Sequence, residues 1–434
     1  MRVSVIGCGY LGAVHAAGMS SLGHDVVGID VDADRIASLT AGTAPFFEPG
    51  LPEALEAGRA SGRLTFSTDI VSAAGARVHF VAVGTPQLAD GNGADLRYVD
   101  AAFAALAPHL RPGDVVVGKS TVPVGTAARL AAELADTGAM LVWNPEFLRE
   151  GYAMKDTLEP DRLVYGTEEA SRGAAVEALD EAYREVLDRG TPRLVTDYAT
   201  AELVKAAANA FLATKISFIN AMAEVAEATG ADVTTLADAL GHDDRIGRRF
   251  LNAGIGFGGG CLPKDIRAFV ARAEEIGVGD SLAFLREVDR INLRRRDRMV
   301  ELVRSSFDDG VHGRRVAVLG LAFKPYSDDI RDSPALDVAT RLRGLGAKVR
   351  VYDPEAMENA RRLHPQLKYA KSAEKALDGA EAVVLVTEWP EFRELDPEAT
   401  AELVARPVIL DGRNVLDPAA WRSSGWTYVG LGRS

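Results

Sequence analysis

The sequence predicts an α/β protein in which two doubly wound, largely parallel sheets are joined by a central helical region. Three observations carry this. Short apolar runs alternate with amphipathic stretches through the first third of the chain, which is the rhythm of βαβ units. The opening motif returns late, since Arg315-Val316-Ala317-Val318-Leu319-Gly320 echoes Arg2-Val3-Ser4-Val5-Ile6-Gly7. Between the two halves the apolar spacing changes to a helical period. Strands are expected at 3–6, 26–30, 78–83, 115–119 and 141–143 in the first half. The second half should carry them at 315–319, 349–353, 382–387 and 408–411. An Ala-rich helix is expected over 200–229, closed by Gly230, and another over 281–307. The expected domains are therefore 1–199, 200–307 and 308–434.

Composition narrows the classes open to such a chain. With 434 residues, 47% hydrophobic and 26% charged, it buries sizeable cores and divides into two or three domains. No apolar run reaches the roughly 20 residues that span a bilayer. Met1-Arg2 leads directly into a strand pattern, not a leader, so the expected address is the cytoplasm. A formal charge of −13 argues against a nucleic-acid partner, which would need concentrated cations. Arg294, Arg295 and Arg296 form the one dense basic run and read as the wet face of a long helix. The only two cysteines, Cys8 and Cys261, lie in glycine-rich segments, so neither a disulfide framework nor a metal site is expected.

Gly7-Cys8-Gly9-Tyr10-Leu11-Gly12 follows a strand pattern and opens a helical one. In that setting Gly7 permits a tight turn, Gly9 admits a pyrophosphate close to the backbone, and Gly12 lets the helix lie against the sheet. Eighteen residues past Gly12, Asp30 ends the second strand, where its carboxylate accepts hydrogen bonds from a ribose. The set predicts a Rossmann-like dinucleotide site for NAD. A 2′-phosphate would be repelled by Asp30, although Arg35 nearby is a cation that could meet one. Cys8 reads as packed filler.

The densest chemical signal is Gly256-Phe257-Gly258-Gly259-Gly260-Cys261-Leu262-Pro263-Lys264-Asp265. The glycines clear side chains from the approach to Cys261, and Pro263 pre-sets a first helical turn. A thiol at a helix N-terminus, with Lys264 beside it, is a candidate nucleophile. Asp265 either orients a water or serves as an acid completing the helix start. On the central helix Lys205 and Asn209 share one face, fitted to steady an oxyanion. The plainer reading of Lys205 is a surface pair with Glu202, and of Asn209 an exposed amide. Thr121 and the acids Glu146 and Glu150 sit just beyond strands of the first sheet, at the edge where such sheets bind ligands, although either acid alone also suits a solvated loop.

These motifs together resemble the UDP-glucose/GDP-mannose dehydrogenase family, in particular its UDP-glucose 6-dehydrogenase group. The resemblance rests on 7–12, 47–51, 120–126, 144–151, Lys205 with Asn209, 256–265 and 320–324, and runs almost end to end. It implies two Rossmann-like domains, NAD in the first and UDP in the second, with a long helix at a homodimer interface. It also implies four-electron oxidation of a nucleotide-sugar CH2OH group through a thioester on Cys261. Lys205 and Asn209 resemble the oxyanion-stabilising pair, Thr121 and Asp265 the holders of the hydrolytic water, and Glu146 a general acid/base. Gly7, Gly9, Tyr10, Leu11, Gly12, Asp30, Arg35, Thr85, Thr121, Glu150, Lys264 and Arg331 resemble NAD contacts. Glu146, Phe147, Leu148, Glu150, Lys205, Asn209, Phe250, Leu251, Asn252, Gly254, Gly258 and Lys324 resemble substrate contacts, with Arg245 reaching the partner subunit's substrate. Arg413 resembles a further substrate arginine, its plainer reading being a solvated loop cation. Gly260 and Gly84-Thr85-Pro86-Gln87 depart from the usual pattern, which leaves UDP-N-acetylhexosamines and GDP-mannose open beside UDP-glucose. A two-electron dehydrogenase with Cys261 idle, and a non-catalytic nucleotide-sugar binder, are the rival readings.

Overall fold

The computed structural model describes residues 1–433. The chain forms two compact units, Met1–Ala208 with Ala271–Gly277, and Asn209–Val270 with Val278–Ser434.

The first unit is built on an eight-stranded sheet: β1 (Arg2–Ile6), β2 (Asp25–Ile29), β3 (Leu64–Ser67), β4 (Val78–Val81), β5 (Val115–Gly118), β6 (Met140–Trp143), β7 (Leu163–Gly166) and β8 (Arg193–Thr196). Their order is β3-β2-β1-β4-β5-β6-β7-β8. Every neighbouring pair is parallel except β6 with β7, which meet antiparallel at Trp143 and Gly166. β4 and β5 are buried along their whole length, as strands covered on both faces must be. The strand order reverses beside β1, between β2 and β4, and ligands bind outside the carboxyl ends of strands at such a point. β3, β7 and β8 were not expected from the sequence. Each has four residues, too few to show a period, and β8 is a largely exposed edge strand.

The second unit holds a six-stranded, wholly parallel sheet: β9 (Arg315–Leu319), β10 (Lys348–Tyr352), β11 (Lys368–Tyr369), β12 (Ala382–Leu385), β13 (Val408–Asp411) and β14 (Thr427–Gly430). Its order, β11-β10-β9-β12-β13-β14, repeats the reversal beside β9. The helix Tyr198–Thr229 begins in the first unit and continues into the second, where Val233–Gly241 and Ala283–Ser305 also lie.

The basic run on Ala283–Ser305 is not a wet face. Arg295 is fully buried against Glu224 and Glu227, and Arg296 is 5% exposed with Asp332 at 2.9 Å. Only Arg294 is substantially exposed, and it pairs with Glu224 at 3.0 Å. Successive helical positions turn through about 100°, so three in a row cannot share one face. Carboxylates remote in sequence, Glu224 and Glu227 on the helix Tyr198–Thr229 and Asp332 just before the helix Pro334–Gly344, supply the charge that lets two of them be buried.

Candidate active site

At the carboxyl end of β1 the chain turns at Gly7 (φ +87°), whose N–H donates to Ile29 O at 2.7 Å. A Cβ on Gly12 would stand 1.7 Å from Gly7 O, so the helix Tyr10–Ser21 can start this close to the strand only with glycine there. A Cβ on Gly9 would meet nothing within 4 Å, and no side chain caps the helix start there. That is a cradle for a phosphate. Asp30, 8% exposed, accepts from Cys8 N at 2.7 Å and Asp32 N at 3.0 Å. Arg35 is held by Asp30 at 3.0 Å and Asp32 at 3.2 Å. The cation that could have met a 2′-phosphate is thus spent on two carboxylates, which suits NAD. Cys8 is fully buried, and burial pushes its thiol up to about 12.

The same edge presents the loops after β4, β5 and β6. Thr85 donates its hydroxyl to Thr121 O at 2.8 Å, joining the first two. Glu202 accepts from Gly125 N at 2.8 Å and Ala127 N at 2.7 Å, which ties the start of the helix Thr126–Leu134 to the long helix. Burial raises the pKa of Glu202. Glu202 is therefore not a surface partner of Lys205. Lys205 is 4% exposed and pairs with Glu146 Oε1 at 2.9 Å, with the Phe147 ring 5.6 Å from its Nζ. Glu146 is no solvated loop acid either, since its second oxygen accepts from Leu148 N at 2.6 Å. Glu150 is half-buried, and its charge helps to raise the pKa of Tyr10.

Two groups here escaped the sequence reading. Glu48, 2% exposed, accepts from Gly151 N at 2.6 Å, Ala153 N at 2.7 Å and Met154 N at 3.4 Å, and from the Tyr10 hydroxyl. It joins the dinucleotide loop to the segment that follows Glu150. Lys119, 5% exposed, donates to Asn144 Oδ1 at 2.9 Å. Glu48 lies inside the stretch 47–51 and Lys119 at the end of an expected strand, and nothing local marks either residue as a hub.

In the second unit Cys261 is exposed and immediately precedes the helix Leu262–Glu275, with Asp265 N donating to Cys261 O at 2.9 Å. Asp265 is 4% exposed. Its Oδ2 accepts from Asn209 Nδ2 at 2.6 Å, and its Oδ1 lies 2.7 Å from Lys264 Nζ. Asn209, 7% exposed, is accordingly not a surface amide. Lys264 shares its charge with Asp265 instead of serving Cys261 alone. A Cβ on Gly260 would fall 2.3 Å from Arg331 Cζ. The departure from the family pattern at Gly260 thus leaves the space that the Arg331 guanidinium fills, and Asp329 holds that guanidinium at 2.7 Å. Gly258 packs against Asp332 O, 2.2 Å from where its Cβ would be.

The 250–257 loop begins at Phe250, whose φ of +66° is costly for a large side chain. Leu251 is buried, and Asn252 Oδ1 accepts from Arg248 at 2.7 Å. Gly254 N donates to Asn220 Oδ1 at 2.8 Å, and Phe257 exchanges bonds of 2.7 and 2.9 Å with the Asn292 side chain. Arg413 donates to Val386 O, Gly256 O and Phe323 O, so it is no solvated cation; it ties three loops together. Lys324 Nζ lies 5.3 Å from the Phe323 ring. Arg245 is exposed and pairs with Asp243 at 2.6 Å.

The second sheet repeats the turn of the first but not its cradle. Gly320 has φ +111°, yet Leu321 N and Ala322 N donate to buried Asp353 at 2.7 and 3.0 Å, and Trp389 Nε1 donates to the same carboxylate. Two successive N–H groups of this turn are thus taken by one carboxylate, where Asp30 takes only that of Cys8 in the first.

Comparison with known proteins matches the family description. The NAD binding domain of the UDP-glucose/GDP-mannose dehydrogenase family matches residues 1–187, its central domain 199–294, and its UDP binding domain 317–418. The chain belongs to the UDP-glucose/GDP-mannose dehydrogenase family. A UDP-glucose 6-dehydrogenase of Rhizobium meliloti is 42% identical over 438 residues, covering 100% of both chains. A solved UDP-glucose dehydrogenase from Pyrobaculum islandicum superposes with a TM-score of 0.90 at 40% identity, covering 100% of this chain and 98% of that one. A UDP-D-ManNAc dehydrogenase structure from Pyrococcus horikoshii gives 0.86 at 28% identity, covering 100% and 99%. Membership makes the chain an NAD-dependent oxidoreductase of the nucleotide-sugar class, and the open cradle at Gly9 with Asp30 behind it fits NAD. Among the described residues no helix is long and apolar enough to cross a membrane.

Proposed function

We propose that this chain oxidises UDP-glucose at C6 to UDP-glucuronate, consuming two NAD and one water. The observation that carries the reading is the exposed Cys261 at the start of a helix, behind three glycines and one turn ahead of the Asn209-bonded Asp265. Identity of 42% over the whole of a UDP-glucose 6-dehydrogenase favours UDP-glucose over the acetylated hexosamines, whose dehydrogenase structure is 28% identical.

NAD held at the Gly7–Gly12 turn and Asp30 would supply the hydride acceptor for both oxidations at C6, from alcohol to aldehyde and from thiohemiacetal to thioester. The helix N-terminus favours Cys261 thiolate, which adds to the aldehyde carbon and forms the C–S bond. Lys205 and Asn209 stabilise the oxyanion that this addition creates. Thr121 and Asp265 hold the water that then adds to the thioester, and the C–S bond breaks to return the thiolate. Glu146, ion-paired with Lys205, exchanges protons with the reacting oxygen. Asp30, Thr85, Glu150, Lys264 and Arg331 would hold NAD. Phe147, Leu148, Phe250 to Asn252, Gly254, Gly258, Lys324 and Arg413 contact the nucleotide sugar. Residues 1–199, 200–307 and 308–434 serve as NAD-binding, dimerisation and UDP-sugar-binding segments.

The chain acts as a cytoplasmic homodimer. Phe211, Phe218 and Val225 recur every seven residues on the long helix and are 67%, 48% and 53% exposed, a stripe that a second copy would cover. Arg245, exposed near the substrate loop, is the residue assigned to the partner's substrate. A substrate panel of UDP-glucose, UDP-N-acetylhexosamines and GDP-mannose, followed by NADH absorbance, tests the assignment. UDP-glucose gives the highest kcat/KM; a higher value for another sugar overturns it.

A further inference from the structure

We propose that Lys119 is a positioning residue whose buried charge holds the ends of β5 and β6 in their working arrangement. The inference rests on the roles given above to Thr121 and Glu146. Lys119 directly follows β5, and its Nζ donates to Asn144 Oδ1 at 2.9 Å, Asn144 O at 3.4 Å and the Tyr183 hydroxyl at 3.3 Å. The Phe80 and Tyr183 rings lie 5.8 and 5.9 Å from it. All of these partners are neutral. Among the described residues no carboxylate lies within ion-pair distance of this ammonium.

A buried cation without an anion costs stability, which a neutral side chain of similar length would not. Stability therefore does not account for Lys119. Its position does. Two residues beyond Lys119 stands Thr121, and two beyond Asn144 stands Glu146, so one ammonium fixes the roots of both loops. Asn144 Nδ2 donates to Val164 O at 2.9 Å, and its Oδ1 also accepts from Tyr183, so the amide cannot swing away. The charged and titratable groups around the ammonium are His15 on the helix Tyr10–Ser21, Tyr183, Glu146 and Lys205. Burial pushes Lys119 down to about 8, with Glu146 opposing the shift and Lys205 adding to it. The clamp is charged at neutral pH and lets go in mild alkali.

Lys119→Met in the full chain tests this. The expected result is a melting temperature equal to or above wild type, unchanged KM values, kcat lower by about a hundredfold, and loss of the alkaline limb near pH 8 from the kcat profile. A lower melting temperature with wild-type kcat in the folded protein would make Lys119 merely structural and overturn the proposal. Should the variant not fold, Tyr183→Phe removes one acceptor and keeps the ammonium. The alkaline limb then moves to lower pH, and an unmoved limb overturns the proposal. Failure here is distinct from failure of the functional reading: the latter shows as no NADH from wild type with any nucleotide sugar, the former as a variant that matches an active wild type.

Discussion

Glu48→Ala is expected to destabilise the first unit and weaken NAD binding together. The carboxylate takes two strong backbone bonds, from Gly151 N at 2.6 Å and Ala153 N at 2.7 Å, a longer one from Met154 N at 3.4 Å, and the Tyr10 hydroxyl. Truncation strands the two strong donors in a buried site. At about 1–3 kcal/mol for each unsatisfied group the cost is about 2–6 kcal/mol. Water entering the vacated space satisfies part of this, so the lower half, about 2–4 kcal/mol, is the working figure. For a unit of this size each kcal/mol lowers the melting temperature by about 2–4 °C, which gives a drop of about 4–16 °C. Because Tyr10 belongs to the dinucleotide loop, the KM for NAD also rises. Differential scanning calorimetry with and without NADH, alongside initial-rate kinetics, reads both effects. An unchanged melting transition, or one that falls while the KM for NAD stays at the wild-type value, would refute the claim that Glu48 links the two loops.

Gly12→Ala drives a Cβ into Gly7 O, 1.7 Å away, and should abolish NAD binding in a fluorescence titration with NADH while the second unit keeps its own melting transition. His15 is fully buried and its pKa is lowered by desolvation, with the Lys119 charge acting the same way. A base depressed on folding contributes full stability above its unfolded value of about 6.5, and that contribution is lost as pH falls below it. Stability of the first unit should therefore decline below about pH 6.5, and His15→Leu should flatten that decline in melting temperatures taken across pH. Persistence of the same slope in the variant would assign it to other groups.

The sequence made legible what is local. Gly7, Gly9, Gly12 and Asp30 are read from spacing because a strand, a turn and a helix start lie within one short window, and Gly258 to Asp265 is equally compact. What stayed hidden depends on partners far along the chain. Glu48 meets Gly151 across 103 positions and Lys119 meets Tyr183 across 64, separations that no periodicity encodes. Asn292 fixes Phe257 from 35 positions away and looks like one more polar residue on a charged helix. The arginine run misled for the same reason: Glu224, Glu227 and Asp332, which let Arg295 and Arg296 be buried, are remote in sequence. At Gly260 an apparent loss of a side chain became intelligible only once Arg331 was seen to fill the space.

The covalent role of Cys261 is the claim on which the account depends, and counting NADH formed per UDP-glucose consumed tests it most directly. Wild type should release two for each sugar oxidised, and Cys261→Ser should lose that four-electron turnover because no thioester can form. A serine variant that still released two NADH per sugar at the wild-type rate would contradict it.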